Sequence, residues 1–231
     1  MIESSITQLR LWYANLPSRF RRDRCGVAAV EFALILPVML VMYLGMAEVT
    51  RGIIANRKVN LVSRTIADLT ARESTTAAIS SPSTELASIL SAASKIISPF
   101  DTSTLALTVS SVTIKTNSSG GCCVVYVDWS YAQNGGTLRP CNTPLTQVAA
   151  TVHSASTNIS GGLIPASTSV TTANTAVLSL IVADVKYVYT PGFGKAMFNW
   201  TQGMGITSYM RPRDSGKVTL ASTPSGGQVC S

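Results

Sequence analysis

The chain has 231 residues, 46% of them hydrophobic and only 13% charged, with a formal net charge of +7 at pH 7. Its mean hydropathy is +0.29. That length fits one soluble domain with appendages. The basic residues are split on either side of an apolar run, with no compact Lys/Arg patch interleaved with aromatics, so the charge is not a nucleic-acid footprint.

Residues 1–26 read as a basic leader. Arg10, Arg19, Arg21, Arg22 and Arg24 face only Glu3 and Asp23 there. Leu9, Leu11, Trp12 and Leu16 fit either a short amphipathic helix at a membrane surface or a tail without fixed structure. An apolar run then opens directly after Gly26. From Val27 to Met46 it counts 20 residues, with Glu31 as its single charge. At 1.5 Å per residue that is about 30 Å of helix, enough to cross a bilayer core. Ten Val, Leu, Ile or Phe residues in the run favour insertion. Each contributes about 0.3–0.6 kcal/mol at the centre, against roughly 2.5–3.5 kcal/mol for a buried charge. The segment therefore inserts with much of its margin taken by Glu31. Two readings of that carboxylate stand open: it reaches toward headgroups near the cytoplasmic end, or it meets a partner such as a neighbouring subunit's amine.

Four arginines lie within Arg19 to Arg24, immediately before the span. The positive-inside rule then places the N-terminus in the cytoplasm and the C-terminal part outside. The cysteines agree, since Cys122, Cys123, Cys141 and Cys230 lie in the outer part, where disulfides form, and Cys25 lies on the reducing side. An ordinary secretory signal is disfavoured, because its apolar core is shorter and ends at an Ala-x-Ala-like site.

Gly26, four small or apolar residues and then Glu31-Phe32 resemble the prepilin cleavage motif. Ala28-Ala29-Val30-Glu31-Phe32-Ala33-Leu34 with Pro37 resembles more closely the TadE-like pseudopilins of tight-adherence pilus systems. The resemblance implies that a prepilin peptidase cuts after Gly26, that Val27 becomes the new N-terminus, and that Glu31, then the fifth residue, meets the N-terminal amine of an adjacent subunit. A departure is Val27 itself, since many pilins begin with an aromatic residue or Met.

Beyond the span, Val49, Ile53, Ile54, Val59, Val62, Ile66 and Leu69 recur at spacings of three to five, with Arg51, Arg57, Lys58, Arg64 and Asp68 between them. This predicts an amphipathic continuation to about Arg72, so that one helix runs from 27 to 72. Its length is about 70 Å, the shape of a pilin stem. Pro37 removes one backbone bond within it. Residues 74–83 read as a Ser/Thr/Ala linker. A second helix follows over about 84–97, with Leu86, Ile89, Leu90, Ala93, Ile96 and Ile97 on one face, and Pro99 ends it.

Strands come next. Leu105, Leu107 and Val109 alternate, and Val112 and Ile114 resume after Ser110-Ser111, which reads as a bulge. Asn117 to Gly121 is a turn, and Cys123 to Tyr131 a second strand forming a hairpin with the first. Gln133-Asn134-Gly135-Gly136 is another turn. Residues 151–176 read as a long polar loop. Ala176 to Tyr189 is the strongest strand, ended by Pro191-Gly192. Phe193, Met197 and Phe198 fit a short helix or turn, and Ile206 to Met210 and Lys217 to Leu220 are candidate edge strands. Three further blocks resemble TadE-like proteins after their stem: Val127 to Tyr131, Val185 to Pro191 and Tyr209 to Arg213. With them the resemblance extends over roughly 24–215.

The expected fold is thus α+β: a long N-terminal transmembrane and amphipathic helix, then a small antiparallel-sheet domain in the periplasm. The expected divisions are a leader (1–26), a transmembrane helix (27–47), its amphipathic extension (48–73) and the exported domain (74–231). Four outer cysteines allow three pairings. Cys123 or Cys122 with Cys141 would staple the hairpin end, closing a loop worth roughly 3 kcal/mol in the chain-entropy treatment. The other adjacent cysteine then takes Cys230, and ring strain disfavours a Cys122–Cys123 bond. His153 is the only histidine, no Asp, Glu or Cys stands near it in sequence, and nothing marks a catalytic triad. Neither catalysis nor a metal or cofactor site is expected. Asp128 and Asp184 read as solvated or hydrogen-bonded strand residues, Trp129 and Tyr131 as core, and Arg211 and Arg213 as strand caps or as ligands of a partner carboxylate.

The functional expectation is a single-pass pseudopilin of a bacterial inner membrane, working in assembly of a tight-adherence pilus with the prepilin peptidase and other subunits as partners. The alternative is a membrane-anchored periplasmic binding module that keeps residues 1–26.

Overall fold

The structure, a computed structural model, describes residues 25–73, 79, 81–115, 124–141, 176–192, 201–213 and 216–230. Among the described residues, two helices and five strands follow one another. Helix α1 is Cys25–Arg72, 48 residues, with Pro37 inside it. It includes the expected Val27 and ends at the expected Arg72. Helix α2 is Pro82–Ser94, with proline in its first turn, where the missing N–H costs nothing. A 3₁₀ turn, Lys95–Ile97, extends it, and the Ser98–Pro99 peptide is cis. The strands are β1 Ala106–Lys115, β2 Val124–Gln133, β3 Ala176–Tyr189, β4 Gln202–Met210 and β5 Gly227–Val229. All pair antiparallel in the order β4-β3-β1-β2-β5. The fold is the expected long helix followed by a small antiparallel sheet.

The chain divides into two compact units at Thr50/Arg51. In the first, every described residue from Gly26 to Tyr43 is exposed. In the second, the helix has one buried stripe: Ala55, Val59, Val62, Ile66, Ala67 and Ala71. Spacings of four and three put these residues on one side of the helix. They join Leu86, Ile89, Leu90 and Ala93 of α2 and the residues Leu107, Val109, Trp129, Tyr131, Ile181, Ala183 and Val185 in one core. Ser63 fastens the stripe to the sheet, donating from Oγ to the Ala183 carbonyl at 3.0 Å. The expected apolar stripe started too early. Val49, Ile53 and Ile54 are exposed, and burial begins only at Ala55.

β1 serves both faces of the sheet. Leu107 and Val109 enter the core under the helices, while Val112 and Ile114 enter a second cluster with Val125, Val127, Leu180 and Val182. Odd and even residues of a strand point to opposite faces, so the change of apolar phase at Ser110-Ser111 needs no bulge in β1. The β1–β2 ladder does shift register at Ser111/Val112, where the sequence pointed to a bulge, but β1 does not carry the extra residue. The extra residues lie on its neighbours: Ser111 pairs with Trp129 and Val112 with Val127, which leaves Asp128 out of register. Likewise Ile114 pairs with Leu178 and Lys115 with Ala176, which leaves out Val177. The bulge at Asp128 lets Val127 and Trp129, of the same parity, face different cores.

The turn after β2 is as expected. Asn134 and Gly135 have positive φ, 52° and 77°, a region that favours Asn and Gly. Gly136 lies so close to β1 that a Cβ would stand 2.2 Å from the Leu107 carbonyl oxygen. Lys217 to Leu220 is not a strand. Leu220 makes one isolated bridge with Ile79, and side chains hold the rest. Val218 is buried and its carbonyl accepts from Trp129 Nε1 at 2.8 Å. Lys217 reaches Asp128 at 2.6 Å. The edge beyond β2 is formed by β5 instead. The readings at 1–24, 117–121, 151–175 and 193–198 lie outside the described residues.

Candidate functional site

Gly26, Val27 and Glu31 all lie on the exposed first part of α1. A Cβ added at Gly26 would meet nothing within 4 Å, so space inside the chain does not demand a glycine there. Val27 and Glu31 are four residues apart, one helical turn on the same face. Glu31 is exposed and makes no hydrogen bond or ion pair with any described residue. Its surroundings are apolar side chains turned outward: Phe32 is 65% exposed, Leu34 72% and Tyr43 74%. A soluble protein rarely leaves so long an apolar patch uncovered. An 18-residue window in this helix has a mean hydropathy of 2.3 and is 0% buried. By length and composition the helix fits a single-pass membrane anchor. Pro37 has no N–H to give the carbonyl of Ala33, and the helix runs on through it.

Two acids of the sheet, Asp184 and Asp128, are engaged in structure. Asp184 accepts from Arg139 at 2.8 and 2.9 Å and from Thr207 Oγ1 at 2.7 Å. Asp128 accepts from Thr113 Oγ1 at 2.6 Å and from Lys217, and its own carbonyl accepts from the N–H of Cys230 at 2.7 Å. The bulged residue thus ties two C-terminal segments to the sheet. Trp129 and Tyr131 are buried, in agreement with the core reading. Arg213 does not cap a strand: its N–H donates to the Ala71 carbonyl at 3.0 Å, closing the end of α1, and its guanidinium pairs with Asp68.

The cysteine expectation needs correcting. Cys141 is bonded to Cys230, Cα to Cα 5.3 Å, across 89 residues of sequence, so it does not pair with Cys122 or Cys123. Those two lie outside the described residues, as does His153. The pairing follows from a contact the sequence concealed: β5 runs beside β2, opposite Trp129 to Tyr131, and so carries Cys230 to the segment after the β2 turn. Among the described residues no group of three or more His, Cys, Asp or Glu is placed to hold a metal ion.

Residues 26–68 match the family model described as TadE-like protein. Over this segment the chain is similar to TadE-like proteins. The match starts at Gly26 itself and covers Glu31, the apolar span and most of the buried stripe of α1. The blocks at 127–131, 185–191 and 209–213 fall outside it, so the match is narrower than the 24–215 read from the sequence. No curated protein and no solved structure compared with the chain matches it.

Proposed function

We propose that this protein is a pseudopilin of a tight-adherence pilus system, held in a bacterial inner membrane by α1 with its sheet domain in the periplasm. In this reading a prepilin peptidase removes residues 1–26, and Glu31 pairs with the new amine of an adjacent subunit. The TadE-like match to residues 26–68 carries the reading, since the family points to pilus assembly, a structural task with no catalysis. Glu31 adds the physical argument. A carboxylate among outward apolar side chains, without a described partner in its own chain, costs insertion energy that an anchor has no reason to bear. A partner amine offsets that cost, and the spacing sets Val27 one turn away on the same face.

The subunits' effect on pilus assembly tests the role of Glu31. A Glu31→Leu protein should insert at least as well as wild type, because the charge penalty of about 2.5–3.5 kcal/mol is gone, and should fail to support piliation and surface adhesion. Full piliation by Glu31→Leu would leave the pairing role without support.

A further inference from the structure

The C-terminal end of α1 carries a cluster that pilus assembly does not by itself call for. Arg64, Asp68 and Arg72 lie at four-residue spacing on one helix face, and Arg213 comes across from the segment after β4. They rim an open hollow of about 420 Å³ whose apolar floor includes Leu69 and Met210. That volume is in the range of small-ligand sites. Asp68 is shared by two cations, Arg72 at 2.7 Å and Arg213. Arg64 is exposed and makes no hydrogen bond or ion pair with any described residue. Among the described residues that line the hollow, three guanidinium groups accompany one carboxylate, a formal excess of two positive charges.

We infer that this hollow docks a short acidic segment of a protein partner, with a Glu or Asp side chain on Arg64 and an adjacent apolar side chain over Leu69 and Met210. Carboxylate binding is already present at the site, where Asp68 is held between Arg72 and Arg213 by one nitrogen from each. A second carboxylate at Arg64 repeats that arrangement, and guanidinium forks match carboxylate geometry with two parallel hydrogen bonds. The apolar floor distinguishes the hollow from a bare charged surface and asks for a hydrophobic neighbour beside the acid. A phosphate is the weaker fit. The helix end at the hollow is its C-terminus, which offers none of the free backbone N–H groups that cradle phosphate oxygens at a helix N-terminus.

The test uses the full-length protein in detergent and a short fluorescent Glu/Leu peptide, read by anisotropy. Wild type should bind it, bind the matching Gln/Leu peptide far less, and lose affinity as salt rises. Arg64→Ala should weaken binding about tenfold, the order expected for one charge-assisted contact, and Arg64→Glu should abolish it. Arg64 has no described polar partner to lose, so these variants should keep the wild-type circular dichroism spectrum. Arg57→Ala, an exposed arginine of the same helix outside the hollow, should leave binding unchanged. The proposal is overturned if Arg64→Ala binds like wild type, if Arg57→Ala weakens binding equally, or if the Gln/Leu peptide binds as well. Displacement of the Glu/Leu peptide by low millimolar inorganic phosphate would assign the site to phosphate instead. None of these outcomes depends on cleavage after Gly26.

Discussion

The two parts of α1 are built from similar apolar residues and put them to opposite use. In residues 26–46, Val, Leu, Ile and Phe point outward in every direction, and none of the best 18-residue window is buried. In residues 55–71, one stripe (Ala55, Val59, Val62, Ile66, Ala67 and Ala71) is buried, while Arg57, Leu61 and Arg64 are exposed. The second part finds its apolar solvent inside its own chain, against α2 and the sheet. The first has no such cover among the described residues, as fits a single-pass membrane anchor. Glu31 follows the same logic: Asp68, Asp128 and Asp184 have cationic partners within the domain, while Glu31 has no described partner.

The sharpest way to break this comparison is a matched pair of truncations. Ile66→Ala removes a fully buried side chain and should destabilise the outer domain by about 2–5 kcal/mol. Leu34→Ala removes an exposed one and should leave the domain's unfolding midpoint unchanged. Thermal unfolding of both variants in detergent, followed by near-UV circular dichroism, makes the comparison. Equal losses would mean that the two parts of the helix do not differ as described.

Next in size is the disulfide. Cys141→Ser should cost about 2–4 kcal/mol, because the bond closes a long loop in the unfolded chain. The same loss should follow from reducing the wild type, and reduction should not add to the effect of the substitution. Insertion of α1 should be indifferent to both.

The smallest effect is on pH dependence. The hydroxyl and then the backbone N–H of Ser103 hold the carboxyl of Asp101 below its ordinary value of 3.8. Burial, and then the Asp101 charge, raise the Tyr187 phenol above its ordinary 10.0. Asp101, depressed in the folded state, contributes stability that is present above its ordinary value and is lost as pH falls through the lowered one. Tyr187, raised in the folded state, contributes stability that is present below 10 and is lost as pH climbs through the raised value. Asp101 is fully exposed, so the acid limb should be shallow. Asp101→Asn should remove that limb and lower the Tyr187 titration toward its ordinary value in a spectrophotometric titration.

Much of this was legible in the residues. The glycine that ends a run of arginines, the apolar count and the lone Glu31 identify the first part of α1 without a structure. The 3.6-residue periodicity gives its end at Arg72 and the buried face of α2. Other features were hidden because they depend on contacts distant in sequence. Exposure of Ile53 and Ile54 cannot be told from burial of Val59 by spacing alone, since only the sheet decides where coverage begins. The phase change in β1 looks like a bulge until the second core behind the sheet is known. The three-residue strand β5 is too short to show a pattern, so the Cys141–Cys230 bond that it positions could not be chosen among the possible pairings. At the candidate site, Gly26, Val27 and Glu31 could be named from their order. The arginine hollow could not, because Arg213 stands 145 positions from Asp68.

The most direct measurement is the N-terminal sequence of the protein recovered from membranes, for wild type and for Gly26→Ile. A wild-type protein beginning at Val27, beside a variant that keeps Met1, is the outcome expected of a processed pseudopilin. A wild-type protein that retains residues 1–26 would contradict it and leave α1 as an anchor alone.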